Sequence, residues 1–564
     1  MRGGRWTWIA IAVTVALVAW LVLVPLGFML WQSVLTPQTA TAAARFTLDN
    51  YRTAYAGADT VRLFANSLKF ALGSAALAFG FGVLLAWINE RTDTPLKSLF
   101  FALTLVPLII PGILFTVSWI FLGSPKIGLI NLALRRLFDT DATFIDIYSI
   151  PGMIWVDGLH YSPLAFLLMT AAFRAMDPAL EEQAFMSGAT LPRTFARITL
   201  KLTTPATVAA LLILFVRALE SFEVPALLGL PVGIEVYTSA IYDAIHAYPS
   251  DIGLASAYGA TLLVITSLCV FLNLRLAGRG SRHATVTGKG FRPRVMRIGG
   301  WRYLTTGIFL VYVTLVVALP FLVLLWSSLQ RFYSVPTLGA LQTLTLEPYR
   351  NVLAYPEIGT AIRNSIVLSL VSATLIMLAT SALCWVVART RLPGRALIDH
   401  LASLPLVFPG LVLGLAIMVC YLTLPIGIYG TLWIMLIAYV TRFLPYGMRY
   451  NTASLLQVHR ELEESAAMSG ASVGSTFGRI VLPLLKPGLI AGWIYIVIVS
   501  IRELASSILL YSAGTEVVSV TIWELWQNGQ YVELSALGVM MILVLLGFVV
   551  LAEFLGRRFG LAEV

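Results

Sequence analysis

The sequence predicts an all-α membrane protein with about 12 transmembrane helices in two parallel six-helix repeats. Three observations predict it: an apolar composition, a regular series of uncharged runs, and a motif that recurs in both halves of the chain. Of 564 residues, 59% are hydrophobic and 12% charged, about half the charged fraction of a soluble globular protein. That composition excludes an ordinary soluble enzyme. It also excludes a disordered chain, which is poor in apolar residues.

Each span follows from length. About 20 apolar residues cross a hydrocarbon core roughly 30 Å thick. Runs of that kind lie near 6–31, 67–89, 98–121, 152–175, 203–223 and 254–274, then near 304–328, 364–388, 401–422, 428–448, 487–509 and 534–555. The stretch from Leu401 to Thr441 is too long for one helix and is divided at the Pro-Ile-Gly turn near 424–430. Arg2 and Arg5 precede about 26 uncharged residues from Trp6 to Trp31, longer than the apolar core of a signal peptide. A retained first span is expected, although the Ala-x-Ala at Ala42–Ala44 is a small-residue pattern that would suit cleavage.

Thirty-eight basic against 28 acidic residues give a net charge of +10, which could suggest nucleic acid. The distribution points elsewhere. Arg275, Arg279, Arg282, Lys289, Arg292, Arg294, Arg297 and Arg302 fall in one acid-free stretch between apolar runs, the pattern of a cytoplasmic loop. The expected organisation is therefore a first half at 1–276, a basic linker at 277–302 and a second half at 303–564. Both termini and the linker then lie in the cytoplasm. Residues 218–274 and 503–556 hold no Lys or Arg and fall toward the external side.

The halves repeat one another. Asn66-Ser67 matches Asn364-Ser365, and Pro107 to Gly112 matches Pro405 to Gly410, both at an offset of 298. Trp155 matches Trp433 at 278, which places an insertion of about 20 residues in the first half, near 124–148. The best match lies between the fourth and fifth spans of each half. Residues 180–200, LEEQAFMSGATLPRTFARITL, and 462–482, LEESAAMSGASVGSTFGRIVL, coincide at 13 positions at an offset of 282. Connecting loops ordinarily drift, so a repeated short helix followed by glycine predicts a purpose. On physical grounds it is either an element lying on lipid or a knob for a partner's groove.

These two segments resemble the EAA loop of binding-protein-dependent ABC importer permeases: Glu-Ala-Ala, three residues, Gly, nine residues, Ile-x-Leu-Pro. Glu464, Ala466, Gly470, Ile480, Leu482 and Pro483 fit, with Ser465 in the middle position. Glu182, Ala184, Gly188, Ile198 and Leu200 fit in the first half, with Gln183 and Lys201 as departures. The segments at 220–229, 235–245, 442–449 and 502–510 look most like the ferric-iron branch. The resemblance implies a type I, MetI-like fold and a permease that switches a cavity by alternating access. It implies two copies of an ATP-binding subunit gripping Glu182, Ala184 and Gly188 on one side and Glu464, Ala466 and Gly470 on the other. A periplasmic binding protein delivers the cargo, and the location is the bacterial inner membrane. The best guess for the cargo is ferric iron, with polyamine, thiamine or aminoethylphosphonate as alternatives. No nucleic acid partner and no resident cofactor are expected, ATP being used by the partner subunits. The chain carries no G-x-x-x-x-G-K-[ST] loop, so no ATP hydrolysis of its own is expected.

A last feature rests on the residues alone. Fifteen uncharged residues separate Lys201 from Arg217, and 15 separate Lys486 from Arg502. At about 1.5 Å each they fall short of the bilayer core. Acids follow in both cases: Glu220 and Glu223, then Glu503. Ionisable groups in short spans at corresponding places of a repeat mark an aqueous route. One expectation is that Glu220, Glu223 and Glu503 contact a cationic cargo in passing, with Arg217 and Arg502 as ion-pair partners. The other is that the pairs only satisfy buried charge. The three cysteines, Cys269, Cys384 and Cys420, and the five histidines show no metal-ligand spacing. A twelve-span secondary transporter shares the topology but not the repeated loops, and no nucleophile, base or metal constellation suggests a membrane enzyme.

Overall fold

A computed structural model describes residues 5–37, 43–177, 179–280, 295–390 and 394–558. Arg2, Ala42 and the linker residues Arg282, Lys289, Arg292 and Arg294 lie outside the described residues. Among those described there are helices and two isolated bridges, but no strand.

The first half runs through α1 (Arg5–Gln32), α2 (Ala58–Arg91), α3 (Lys97–Leu105), α4 (Gly112–Gly123), α5 (Leu129–Phe138), α6 (Ile150–Ala175), α7 (Ala179–Met186), α8 (Thr204–Glu220), α9 (Tyr237–His246) and α10 (Ile252–Gly280). The second runs through α11 (Trp301–Val313), α12 (Leu319–Ser328), α13 (Pro356–Arg389), α14 (Arg395–Ser403), α15 (Gly410–Thr423), α16 (Leu432–Leu456), α17 (Arg460–Met468), α18 (Lys486–Ile501), α19 (Val518–Gln527) and α20 (Tyr531–Arg558). The expected insertion holds α5, whereas the corresponding stretch of the second half, between α15 and α16, holds no helix.

Among the described residues, six helical stretches are long and apolar enough to span alone, and up to ten if each sharply bent pair counts as one. The sequence count of twelve also included α6 and α16. These have 26 and 25 residues, long enough to cross, but they carry Asp157 and His160 or Arg442, Arg449 and Asn451.

The largest bends lie at the repeated prolines, and they are larger than kinks. The third span of each half breaks by 98° and 108°, between residues 108 and 112 and between 407 and 410. Pro111 and Pro409 sit as N-caps with ψ of 139°. An extended ψ there redirects the chain, and a proline has no N–H to continue the preceding helix. The fifth spans also break, by 75° and 70°, ahead of α8 and α18.

The chain divides into two compact units, each mixing the halves. One holds residues 52–251 and 261–345, the other 1–51, 252–260 and 346–564. In the first, α2 packs along α6 and α8, and the opening helices of the second half, α11 and α12, lie against α3 and α4. In the other, α13 packs along α16 and α18, and α1 lies against α14 and α15. The first span of each half thus joins the compact unit built on the other half. Small residues allow the close approaches within each unit. A Cβ added at Gly82 would lie 2.3 Å from that of Ala165, and one at Gly447 2.7 Å from Ile376. Membrane helices pack in this way because van der Waals contact, and not exclusion from water, joins them.

Candidate functional site: two anchored loops and a set of buried acids

The repeated loops begin with α7 and α17. Each helix reverses at a glycine with a left-handed φ, +79° at Gly188 and +82° at Gly470. The Ala189 N–H donates to the Ala184 carbonyl and the Ala471 N–H to that of Ala466, both at 3.0 Å. This is the glycine-terminated helix end in which the bond reaches back five residues. No atom lies within 4 Å of a Cβ built at either glycine, so backbone conformation selects the residue. The turns expose Met186 and Met468, each 90% accessible. Glu182 is half-buried, Glu464 exposed, Ala184 half-buried and Ala466 buried.

The neighbouring glutamates do something different. One step along a helix turns a side chain by about 100°, and Glu181 and Glu463 point inward. Arg91 Nε lies 3.2 Å from Glu181 Oε2, with side chains 1% and 5% exposed. Arg389 Nε lies 2.9 Å from Glu463 Oε1, with 10% and 8% exposed. Both arginines also tie down the end of the fourth span of their half. Arg91 donates to the carbonyls of Phe173 (2.8 Å) and Met176 (3.2 Å), and Arg389 to those of Leu455 and Val458. One guanidinium thus joins the second span, the fourth span and the loop helix. Beside it, Trp87 packs on Phe195 and Trp385 on Phe477, with ring centroids 5.5 and 5.6 Å apart. The third partner differs. Glu181 accepts from the Thr199 hydroxyl at 2.5 Å, whereas Glu463 accepts from the Trp385 indole at 2.9 Å.

Sequence reasoning found the loops and missed these anchors. The signal was present: both loops carry a glutamate doublet, and Trp87 and Arg91 match Trp385 and Arg389 at the same offset of 298 as the asparagine–serine pairs.

Those asparagine–serine pairs perform matching tasks. Asn66 and Asn364 donate to the carbonyls of Glu235 and Glu516. Ser67 and Ser365 accept from the first N–H groups of α9 and α19, at 3.0 and 2.8 Å. These helices in turn hold the segments beyond the fifth spans. Thr238 donates to the Ser221 carbonyl and Ser519 to the Glu503 carbonyl, at 2.7 and 2.6 Å.

The expected acids lie in those segments. Arg217 and Glu220, one turn apart, are ion-paired at 3.1 Å. Glu223 approaches the start of α4, where its carboxylate oxygens would lie 3.6 Å from a Cβ at Gly112. The helix N-terminus favours an anion there. Glu503 pairs with Arg442 of α16 at 3.0 Å, an arginine that sequence reasoning passed over, while Arg502 caps α18. Glu503 also accepts from the Ser506 N–H and hydroxyl, both at 2.9 Å. At Gly410, the counterpart of Gly112, the space a side chain would fill is taken by the Arg442 guanidinium. One further acid was missed. Asp157 of α6 is 1% exposed, flanked by the hydroxyls of Ser74 and Ser221 and near Glu223. Among the described residues no group of three or more His, Cys, Asp or Glu side chains is placed to hold a metal ion.

Two anchored loops on a duplicated helical membrane fold define a fused pair of permease units. The model of the binding-protein-dependent transport system inner membrane component matches residues 78–280 and again 376–560. The chain belongs to that family. It is 28% identical over 72% of its length to the ferric transport system permease protein FbpB of Actinobacillus pleuropneumoniae, and spans 59% of that relative. A Haemophilus influenzae Fe(3+)-transport system permease protein, FbpB 2, is 24% identical over 85% of this chain and 87% of its own. A spermidine/putrescine transport system permease protein, PotC, of the same organism is 25% identical over 35% of this chain and 75% of its own.

Proposed function

We propose that this chain is the membrane-spanning subunit of an ATP-driven importer, carrying ferric iron from a periplasmic binding protein into the cytoplasm. Two copies of an ATP-binding subunit dock on α7 and α17, and closure of those subunits moves both loops and switches access from one side of the inner membrane to the other. The chain itself holds no cofactor and hydrolyses nothing. The observation that carries this reading is the duplicated anchor. A guanidinium, 1% exposed in the first half and 10% in the second, fixes each loop helix to two spans, so a push on the exposed turn is delivered to the transport path rather than absorbed by a slack connection.

Ferric iron is favoured by the names of two relatives and by the acids. Glu220, Glu223, Asp157 and Glu503 offer hard oxygen atoms suited to a hard cation, and their scatter suits passing contact rather than a cage. A polyamine is the second reading, because carboxylates serve any cation and the third relative is named for one.

The test is uptake into proteoliposomes holding the chain with its ATP-binding subunit and binding protein. Ferric iron uptake that requires ATP and survives collapse of the proton gradient is expected. Uptake driven by the gradient without ATP would identify a secondary transporter. Within the same assay, Glu220→Gln, Glu223→Gln, Asp157→Asn and Glu503→Gln test the route, and unchanged uptake in all four variants contradicts it.

A further inference from the structure

At the end of α2, a cleft of about 660 Å³ opens between Leu84, Trp87, Ile88 and Thr92 on one side and the segment from Met296 to Ile308 on the other. That volume is within the usual range for ligand pockets. The cleft is built firmly. The Met296 N–H donates to the Arg91 carbonyl at 2.9 Å, the Asp93 N–H to the Met296 carbonyl at 3.1 Å, and the Ile298 N–H to Asp93 Oδ1 at 2.9 Å. Thr94 and Thr305 share a buried hydrogen bond of 2.7 Å between their hydroxyls.

Its position narrows the occupant. The cleft lies at the ends of two candidate spans, Asp59–Arg91 and Trp301–Ser328. The second of these spans also exposes large apolar side chains: Leu304, Leu310 and Val311 are 55%, 55% and 60% exposed, as on a face that meets lipid. Trp301 and Tyr303, 70% and 69% exposed, are the residue types that settle at the level of lipid headgroups. The rim is cationic. Arg297 lines the cleft, and Arg302 lies over the Tyr303 ring at 5.0 Å. The two nearby acids are engaged, Glu90 with Arg174 at 3.1 Å and Asp93 with the Ile298 amide.

We infer that this cleft is a binding site for an anionic phospholipid, with an acyl chain between Leu84, Ile88 and Ile308 and the phosphate against Arg297. Trp87 gives the site a consequence. It forms a wall of the cleft and also packs on Phe195 of the first-half loop, one turn from the Arg91 anchor. Lipid in the cleft braces that loop and not the other.

The inference rests on the proposed orientation only for the leaflet involved, and lipid retention by the purified chain tests it independently of transport. The full-length chain, stripped of lipid in detergent, is given phosphatidylglycerol or phosphatidylcholine with identical acyl chains, and retained lipid is counted by native mass spectrometry. Preferential retention of phosphatidylglycerol is expected. Arg297→Gln should lower the preference about fivefold, the effect of one guanidinium near a charged headgroup. Ile308→Trp, which fills the cleft, should abolish retention of both lipids at this site. Equal retention of the two lipids would overturn the proposal, as would a preference unchanged by both substitutions. Displacement of phosphatidylglycerol by soluble glycerol phosphate would overturn it too, since it would show a headgroup site with no role for the acyl chain.

Discussion

The two loops agree at the ion pair and differ at the third partner. Arg91–Glu181 and Arg389–Glu463 are the same device, placed at matching points of a duplicated chain. Around the glutamate, a threonine hydroxyl serves the first half and an indole the second. The pair fixes each loop helix to the end of the second span. The partner that satisfies its remaining oxygen is free to change, provided some donor is present, because a buried carboxylate without one is costly. The surroundings differ as well. The first-half anchor has the linker segment at Met296 bonded to the Arg91 carbonyl, and its arginine is 1% exposed against 10% for Arg389.

The sharpest way to break the comparison is to remove one arginine. Arg91→Ala and Arg389→Ala each leave a buried carboxylate without its cation, a change that costs about 3–5 kcal/mol in comparable pairs. Thermal unfolding of the purified chain should show both losses, with the larger at Arg91. Equal and negligible losses would mean that water reaches both glutamates.

Next in size are Gly188→Asp and Gly470→Asp. A side chain held in the left-handed region costs about 1–2 kcal/mol, little enough for the chain to insert normally. The turn would be reshaped, so ATP-dependent uptake should be lost in both variants while membrane levels hold. Uptake at the native rate in either would show that its turn is not a contact.

The hydrogen-bond partners of the two glutamates sharpen the difference between the loops. Thr199→Val and Trp385→Phe each remove one hydrogen bond to a charged acceptor, worth about 1.5–3 kcal/mol. Val481 occupies the place of Thr199 in the second half and is fully buried. Val481→Thr should therefore restore part of the stability lost in Trp385→Phe. No recovery in a double-mutant cycle would show that the two glutamates accept from different directions.

Much of this was legible in the sequence, for identifiable reasons. The spans follow from run length, and the loops follow from a long repeat in a place where drift is expected. The Arg217–Glu220 pair follows from helical spacing. The exchange of first spans between the compact units was not legible, because run length carries no information about which run packs on which. Nor was the pairing of Glu503 with Arg442, which come from different helices 61 positions apart. The right-angle breaks were not legible, for a local reason. A proline within a span ordinarily kinks it, and only the extended ψ of Pro111 and Pro409 converts the kink into a corner. The Arg–Glu anchors join residues 90 and 74 positions apart, so no local spacing marks the inward glutamate of each doublet as paired.

The turns at Met186 and Met468 are the proposed docking points for an ATP-binding subunit. Single cysteines at these two positions, 90% exposed, test this most directly. The native Cys269, Cys384 and Cys420 are buried. With the ATP-binding subunit present, each new thiol should cross-link to it in the assembled complex, and the yield should change on adding ATP. If both thiols react freely with a water-soluble maleimide in that complex and neither cross-links, the loops are not docked and the account is wrong.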